Sequence, residues 1–135
     1  MKKDLEFLLT GTYKGLAIGD SIEKFRKTIQ DPFHNMSDGD TEIYSDDNQA
    51  EFIFINNELY FINLKSFKQG FLPSKFKKTI RRLNKKKIEW YFNQELTLLK
   101  QLTIRMKSSG VDLIFDLEHQ NEGILKKVIL SRQCD

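Results

Sequence analysis

Eight carboxylates, Asp31, Asp38, Asp40, Glu42, Asp46, Asp47, Glu51 and Glu58, fall between residues 28 and 64 with no lysine or arginine among them. Like charges at this density repel one another in a folded domain, so the arrangement points either to a basic partner that relieves the repulsion or to acidic loops that serve only to solvate the surface. Their spacing supports no more specialised chemistry. Counted from Asp38 as a calcium loop, the sixth position is Ile43 instead of glycine and the twelfth is Gln49 instead of glutamate. Acid–base catalysis by paired carboxylates needs an apolar setting that separates their pKa values, and none is recognisable around these acids. His34, His119 and Cys134 are isolated from one another, giving neither a zinc-ligand pair nor a Cys–His nucleophile. Gly11, Gly15 and Gly19 lack both the Gly-Lys-Ser/Thr of a phosphate loop and the spacing of a dinucleotide fingerprint, and they read as turn and strand-edge glycines. No enzyme, cofactor or metal is expected from these patterns.

The opposite charge is just as concentrated. Residues 65–107 hold thirteen lysines and arginines against Glu89 and Glu95 alone. Lys75, Lys78, Arg81, Arg82 and Lys85 recur at helical spacing, and Trp90, Tyr91 and Phe92 follow closely. Such a helix can neutralise phosphates while the aromatics stack on bases, so nucleic-acid binding through Lys75, Lys78, Arg81, Arg82, Lys85 and Trp90 is the alternative function. A solvated helix face followed by a core strand explains the same residues without any ligand.

The elements that must carry these charges are arranged around a central hairpin. In EFIFINNELYFINL, residues 51–64, two alternating apolar runs flank Asn56-Asn57, a pair that tolerates the positive φ of a tight primed turn. This pairing puts Phe54 opposite Leu59 and Phe52 opposite Phe61 on one apolar face, with Ile53 and Tyr60 on the other. Ahead of it, residues 4–9 form a short amphipathic opening ended by Gly11, and residues 13–18 read as a first strand. Asp20 or Ser21 then caps a helix with Ile22, Phe25 and Ile29 inward, stopped by Asp31-Pro32. Residues 34–40 read as a polar loop, residues 41–45 as a strand with Ile43 inward, and Asp46-Asp47-Asn48 as a turn.

Beyond the hairpin, Pro73 and Ser74 start a helix that runs to about Asn84 with Phe76, Ile80 and Leu83 inward. Residues 88–92, 102–106, 111–117 and 124–130 read as strands, and residues 95–100 fit either a helical turn or a strand continuation. KFRKTI at 24–29 is nearly repeated by KFKKTI at 75–80, EFIF at 51–54 by DLIF at 112–115, and residues 59–64 by 125–130, in the same order. The expected fold is therefore α+β, a single domain of two helix-plus-antiparallel-strand repeats, about 12–66 and 70–132, with helices packed on a meander sheet.

A chain of 135 residues with eleven phenylalanines can bury a substantial core. The lone cysteine permits no internal disulfide, the apolar run after Met1 is broken by Asp4 and Glu6, and no stretch approaches a membrane span, so a cytoplasmic location is expected.

The order KGLAIGDS at 14–21, then a helix and a meander ending in FIFINNEL at 52–59, with GVDLIFD at 110–116 before a final strand, resembles the small immunity proteins of bacterial polymorphic toxin and contact-dependent growth inhibition systems. The layout is also similar to that of β-lactamase inhibitor proteins, as a fold-level analogy. The resemblance implies a non-catalytic antitoxin that blocks a cognate protein toxin, expected here to be a basic nuclease domain. Asp38, Asp40, Glu42, Asp46 and Asp47 would provide steering and phosphate mimicry, and Tyr44 a central aromatic anchor.

Overall fold

The computed structural model describes residues 2–29, 33–46, 50–65, 70–93, 100–117 and 123–132. The expected helix stop at Asp31-Pro32, the stretch 94–99, and Asp47, His119 and Cys134 lie outside the described residues. Three helices, α1 (Lys3–Thr10), α2 (Ile22–Thr28) and α3 (Phe76–Lys85), pack on one face of an antiparallel sheet. Its strands are β1 (Phe33–Asp38), β2 (Thr41–Asp46), β3 (Ala50–Ile55), β4 (Glu58–Leu64), β5 (Trp90–Phe92), β6 (Gln101–Met106), β7 (Asp112–Asp116) and β8 (Ile124–Ser131). Their spatial order is β1-β2-β3-β4-β8-β7-β6-β5, so β4 and β8 pair at the centre and β1 and β5 form the edges. The fold is α+β and mostly sheet. No described helix is long and apolar enough to cross a membrane.

The central hairpin forms because Asn56 and Asn57 accept φ of 52° and 67°, the left-handed values that a two-residue primed turn requires. Its register is not uniform. Phe54 pairs with Leu59, but Ile53 pairs with Phe61 and Phe52 with Ile62, so Tyr60 is an extra residue in β4. Phe52 therefore does not face Phe61, as simple alternation predicts. The bulge lets Leu59 and Ile62, three residues apart, both point into the core while Tyr60 and Phe61 are left outside it. The same irregularity recurs between β7 and β8, where Phe115 pairs with Leu125 and Ile114 with Lys127, leaving Lys126 as the extra residue.

α2 and α3 are each tied to the strand that closes their run. The Leu59 N–H donates to the Asp20 carbonyl (2.9 Å) and the Ile22 N–H to the Asn57 carbonyl (3.1 Å). In the other half the Leu125 N–H donates to the Ser74 carbonyl (2.7 Å) and the Phe76 N–H to the Gly123 carbonyl (2.9 Å). The Ser21 hydroxyl caps α2 by accepting from the Lys24 N–H, whereas α3 follows Lys75 without a side-chain cap.

One core lies between sheet and helices. Phe25 of α2 inserts among Tyr44, Phe52 and Phe54, with ring centroids at 4.9, 5.2 and 5.3 Å. Phe76 meets Phe115 edge-on at 5.1 Å, and Leu83 and Thr79 of α3 are fully buried. α1 adds Phe7 and Leu8 and ends at Gly11 in the left-handed region, as its sequence predicts.

Three expectations are corrected. Residues 13–18 make no strand; Lys14 and Gly15 adopt positive φ, and Tyr13 and Leu16 close a tight turn through two 2.9 Å backbone bonds. Residues 34–38 of the stretch read as a loop lie instead in edge strand β1, which borrows its order from β2 alone and so tolerates a polar sequence. In β2 the inward residue is Tyr44, 1 % exposed, and not Ile43. The phenol ring fills the space beside Phe25, and alternation then forces Ile43 outward.

Candidate interaction surfaces

Alternation along the strands assigns Phe52, Phe54, Leu59, Ile62 and Tyr44 to the helix side, and thereby assigns their neighbours to the opposite face of the sheet. The pairing register lines those neighbours up. Met36, Ile43, Ile53 and Phe61 stand opposite one another across β1, β2, β3 and β4. Three strand spacings make this an apolar row about 14 Å long. Met36 at its end is 69 % exposed, and the other three are half-buried. On one side of the row lie Asp38, Thr41, Ile55 and Glu58, and on the other Ser45, Glu51 and Asn63.

The sequence-derived acidic set does not form one patch on this frame. Asp38 ends β1, on the same face as the apolar row, and Asp40 sits in the adjoining turn, where Gly39 supplies a φ of 63°. Both are exposed, and neither makes an ion pair among the described residues. Glu42 points to the helix side. There it accepts a hydrogen bond from the Tyr44 hydroxyl (3.2 Å), which in turn accepts from the Arg26 guanidinium (3.4 Å). The Tyr44 hydroxyl and then the Glu42 and Glu23 charges hold Arg26 above its ordinary pKa. Asp46 ends the same strand that Thr41 begins, about 17 Å away. With its ring in the core, Tyr44 has no surface to offer as an aromatic anchor, and that expectation is withdrawn.

Two further acids of the segment are neutralised by the chain itself. Lys65 meets Glu51 at 3.2 Å and Arg132 meets Glu58 at 2.6 Å. Arg132 also covers the Tyr60 ring, 4.7 Å from its centroid, so the bulged residue and the central strands share one cation. Among the segment's acids whose side chains are described, Asp38 and Asp40 remain without an ion pair, at one corner of the apolar row.

The basic set is divided as well. Lys75, which precedes α3, and Lys78, Arg81, Arg82 and Lys85 on it are all exposed. Trp90, however, donates its indole N–H to the Asn84 side chain (3.1 Å) and lines a depression with Asn84, Lys87, Tyr91 and Lys107. Arg82 and Lys85 line a different one with Lys2 and Phe71. Tyr91 and Phe92 are about half exposed on edge strand β5. The helix thus separates the indole from two of the cations expected to act with it.

The outer face of the second half is polar. Arg105 grips Asp112 through two bonds of 2.9 and 3.0 Å, and Asn93 donates to the same carboxylate at 3.0 Å. The hydrogen bond to Asp112 first, and one to Tyr91 after it, raise the Arg105 pKa against the opposing effect of burial. Met36, Ile43, Ile53 and Phe61 are the surface residues that reading the acids alone passes over. Their signal was the Leu59–Ile62 spacing of three, which marks the bulge and turns Phe61 outward.

Comparison of the chain with protein-family models, with curated proteins and with solved structures finds no match in any of the three.

Proposed function

We propose that the chain is a non-catalytic immunity protein that docks a basic toxin domain, such as a nuclease, on the outer face of β1–β4 and acts by blockade. The observation that carries this reading is the apolar row Met36, Ile43, Ile53 and Phe61 with Asp38 and Asp40 uncompensated at its corner. A desolvated apolar centre beside a charged rim is the anatomy of a specific protein interface, and the rim's sign selects a cationic partner. The anchors are aliphatic residues and Phe61, in place of the Tyr44 expected from the sequence. Action in the cytoplasm agrees with a chain whose single cysteine can form no internal bridge.

The scaffold is further proposed to be a duplication of about 12–66 and 70–132. Supporting it are the equivalent bulges at Tyr60 and Lys126, the matched bonds Leu59 to Asp20 and Leu125 to Ser74, and the mirrored strand order about β4 and β8.

The test is titration of the purified chain with the toxin domain encoded next to it, at low and high salt. Ile43→Lys should weaken binding by at least about 30-fold, because it sets a lysine against the partner's own positive charge. Asp38→Asn with Asp40→Asn should slow association and flatten the salt dependence. Full binding by Ile43→Lys would rule out this face. Retention of labelled RNA or DNA at physiological salt, with no protein partner, would favour the nucleic-acid alternative.

A further inference from the structure

The depression that contains Arg82 and Lys85 is a cavity of about 490 Å³ lined by Lys2, Gly70, Phe71, Arg82, Lys85 and Lys86. Among the described residues, four of the six that line it are cations, none is an acid, and none of the four makes an ion pair. Its wall is held in place from behind. The buried Asp4 carboxylate accepts from the N–H groups of Leu5, Phe71 and Leu72, each at 2.9 Å. A Cβ at Gly70 would collide with that carboxylate, so the close approach requires glycine. From the front, Arg82 donates to the Phe71 carbonyl (2.6 Å) and Lys2 to the Gly70 carbonyl (3.4 Å). The aromatic ring is therefore carried on a segment fixed on both sides, and the C-terminal end of α3 with its cap residue places Arg82, Lys85 and Lys86 beside it.

We infer that this cavity binds a phosphate ester attached to a flat ring, with the phosphates on Arg82, Lys85, Lys86 and Lys2 and the ring stacked on Phe71. Its volume lies in the range of small-ligand sites. A compact group of lysines and an arginine matches di- or polyphosphate charge, while the phenyl face supplies the sequence-tolerant stacking typical of nucleobases. Free nucleotides and the ends of single strands share this chemistry. The site lies on the helix side of the sheet, away from the proposed protein-docking face, and does not depend on it.

The helix supplies its own control. At 100° per residue, Lys77 and Arg81 project from the flank of α3 opposite Arg82 and Lys86 and do not line the cavity. Binding of fluorescent ADP is measured, with pyrophosphate, adenosine and a short oligothymidylate as competitors. Lys85→Gln with Lys86→Gln should weaken ADP binding at least about tenfold, as loss of two charge-assisted contacts implies. Lys77→Gln with Arg81→Gln should change it less than about twofold. Phe71→Leu should weaken ADP while leaving pyrophosphate unchanged. Competition by oligothymidylate would identify a strand end as the source, and its failure to compete would identify a free nucleotide. Absence of ADP binding at about 1 mM, or equal losses in the two double variants, would overturn the inference.

Discussion

The two runs of four strands share a backbone plan and differ in what they place on it. In both, the third and fourth strands are offset by one extra residue, Tyr60 or Lys126, and a loop carbonyl, Asp20 or Ser74, accepts from the leucine just before that bulge. Counted from the residue before each helix, Ile22, Phe25 and Ile29 occupy the places of Phe76, Thr79 and Leu83, so the matching words KFRKTI and KFKKTI lie three residues out of step. On the outer face, Ile43, Ile53 and Phe61 of the row are matched by Thr103, Ile114 and Lys127. Leu59 with Ile62 and Leu125 with Val128, each pair spaced by three, fix where the chain bulges, because both members must reach the core. The outward residues need not reach that core, and so the matched row is apolar in one half and mixed, a threonine, an isoleucine and a lysine, in the other.

The comparison is broken most severely at Phe25. Its ring contacts three others in the first half, so Phe25→Ala should destabilise the chain by about 3–5 kcal/mol. Thr79, at the corresponding place, packs a single methyl and bonds its hydroxyl to the Lys75 carbonyl at 2.9 Å. Thr79→Ala should cost only about 1–2 kcal/mol. Denaturant midpoints for the two variants settle the ratio, and equal losses would mean the two helices contribute alike.

A second contrast lies at Asp112 and Glu51, which take the same register position in their halves. Asp112 is 2 % exposed and receives Arg105 and Asn93, so Asp112→Ala removes a buried carboxylate that both side chains bind and should cost about 3 kcal/mol. Glu51 faces solvent with Lys65, and Glu51→Ala should cost less than about 1 kcal/mol. Urea titrations at low and high salt distinguish them further, since only the exposed pair is screened.

The residues at these sites explain what the sequence could and could not reveal. Turn chemistry at Asn56-Asn57 and the hydroxyl cap at Ser21 act locally, and the hairpin and α2 are where those residues put them. β1 left no local trace because its order comes from β2. Ile43 and Tyr44 are adjacent apolar residues on one strand, and only the space beside Phe25, a tertiary fact, decides which turns inward. The acids were visible as composition. Their division among a turn, a core hydroxyl and two strand ends follows from pairing register, which composition does not encode.

The smallest difference between the halves is electrostatic and appears on acidification. Asp20 accepts from the Ala17 N–H at 2.8 Å and pairs with Lys24 at 3.0 Å, whereas Ser74 holds the matching place in the second half with no charge. Burial alone would raise the Asp20 pKa, but the Ala17 bond and the Lys24 contact together outweigh it and hold the folded value below the ordinary 3.8. A carboxylate with a depressed folded pKa contributes stability that is complete above the unfolded value and disappears as pH falls through the folded one. Solvent screening keeps the contribution within about 1 kcal/mol. Asp20→Asn should therefore be less stable than the parent chain at neutral pH, and the gap should close progressively below about pH 4. Ser74→Ala measured alongside should show a gap that does not vary over the same window. A gap for Asp20→Asn that persisted below its folded pKa would show that the carboxylate works there through packing, and that the two loops are held by the same forces.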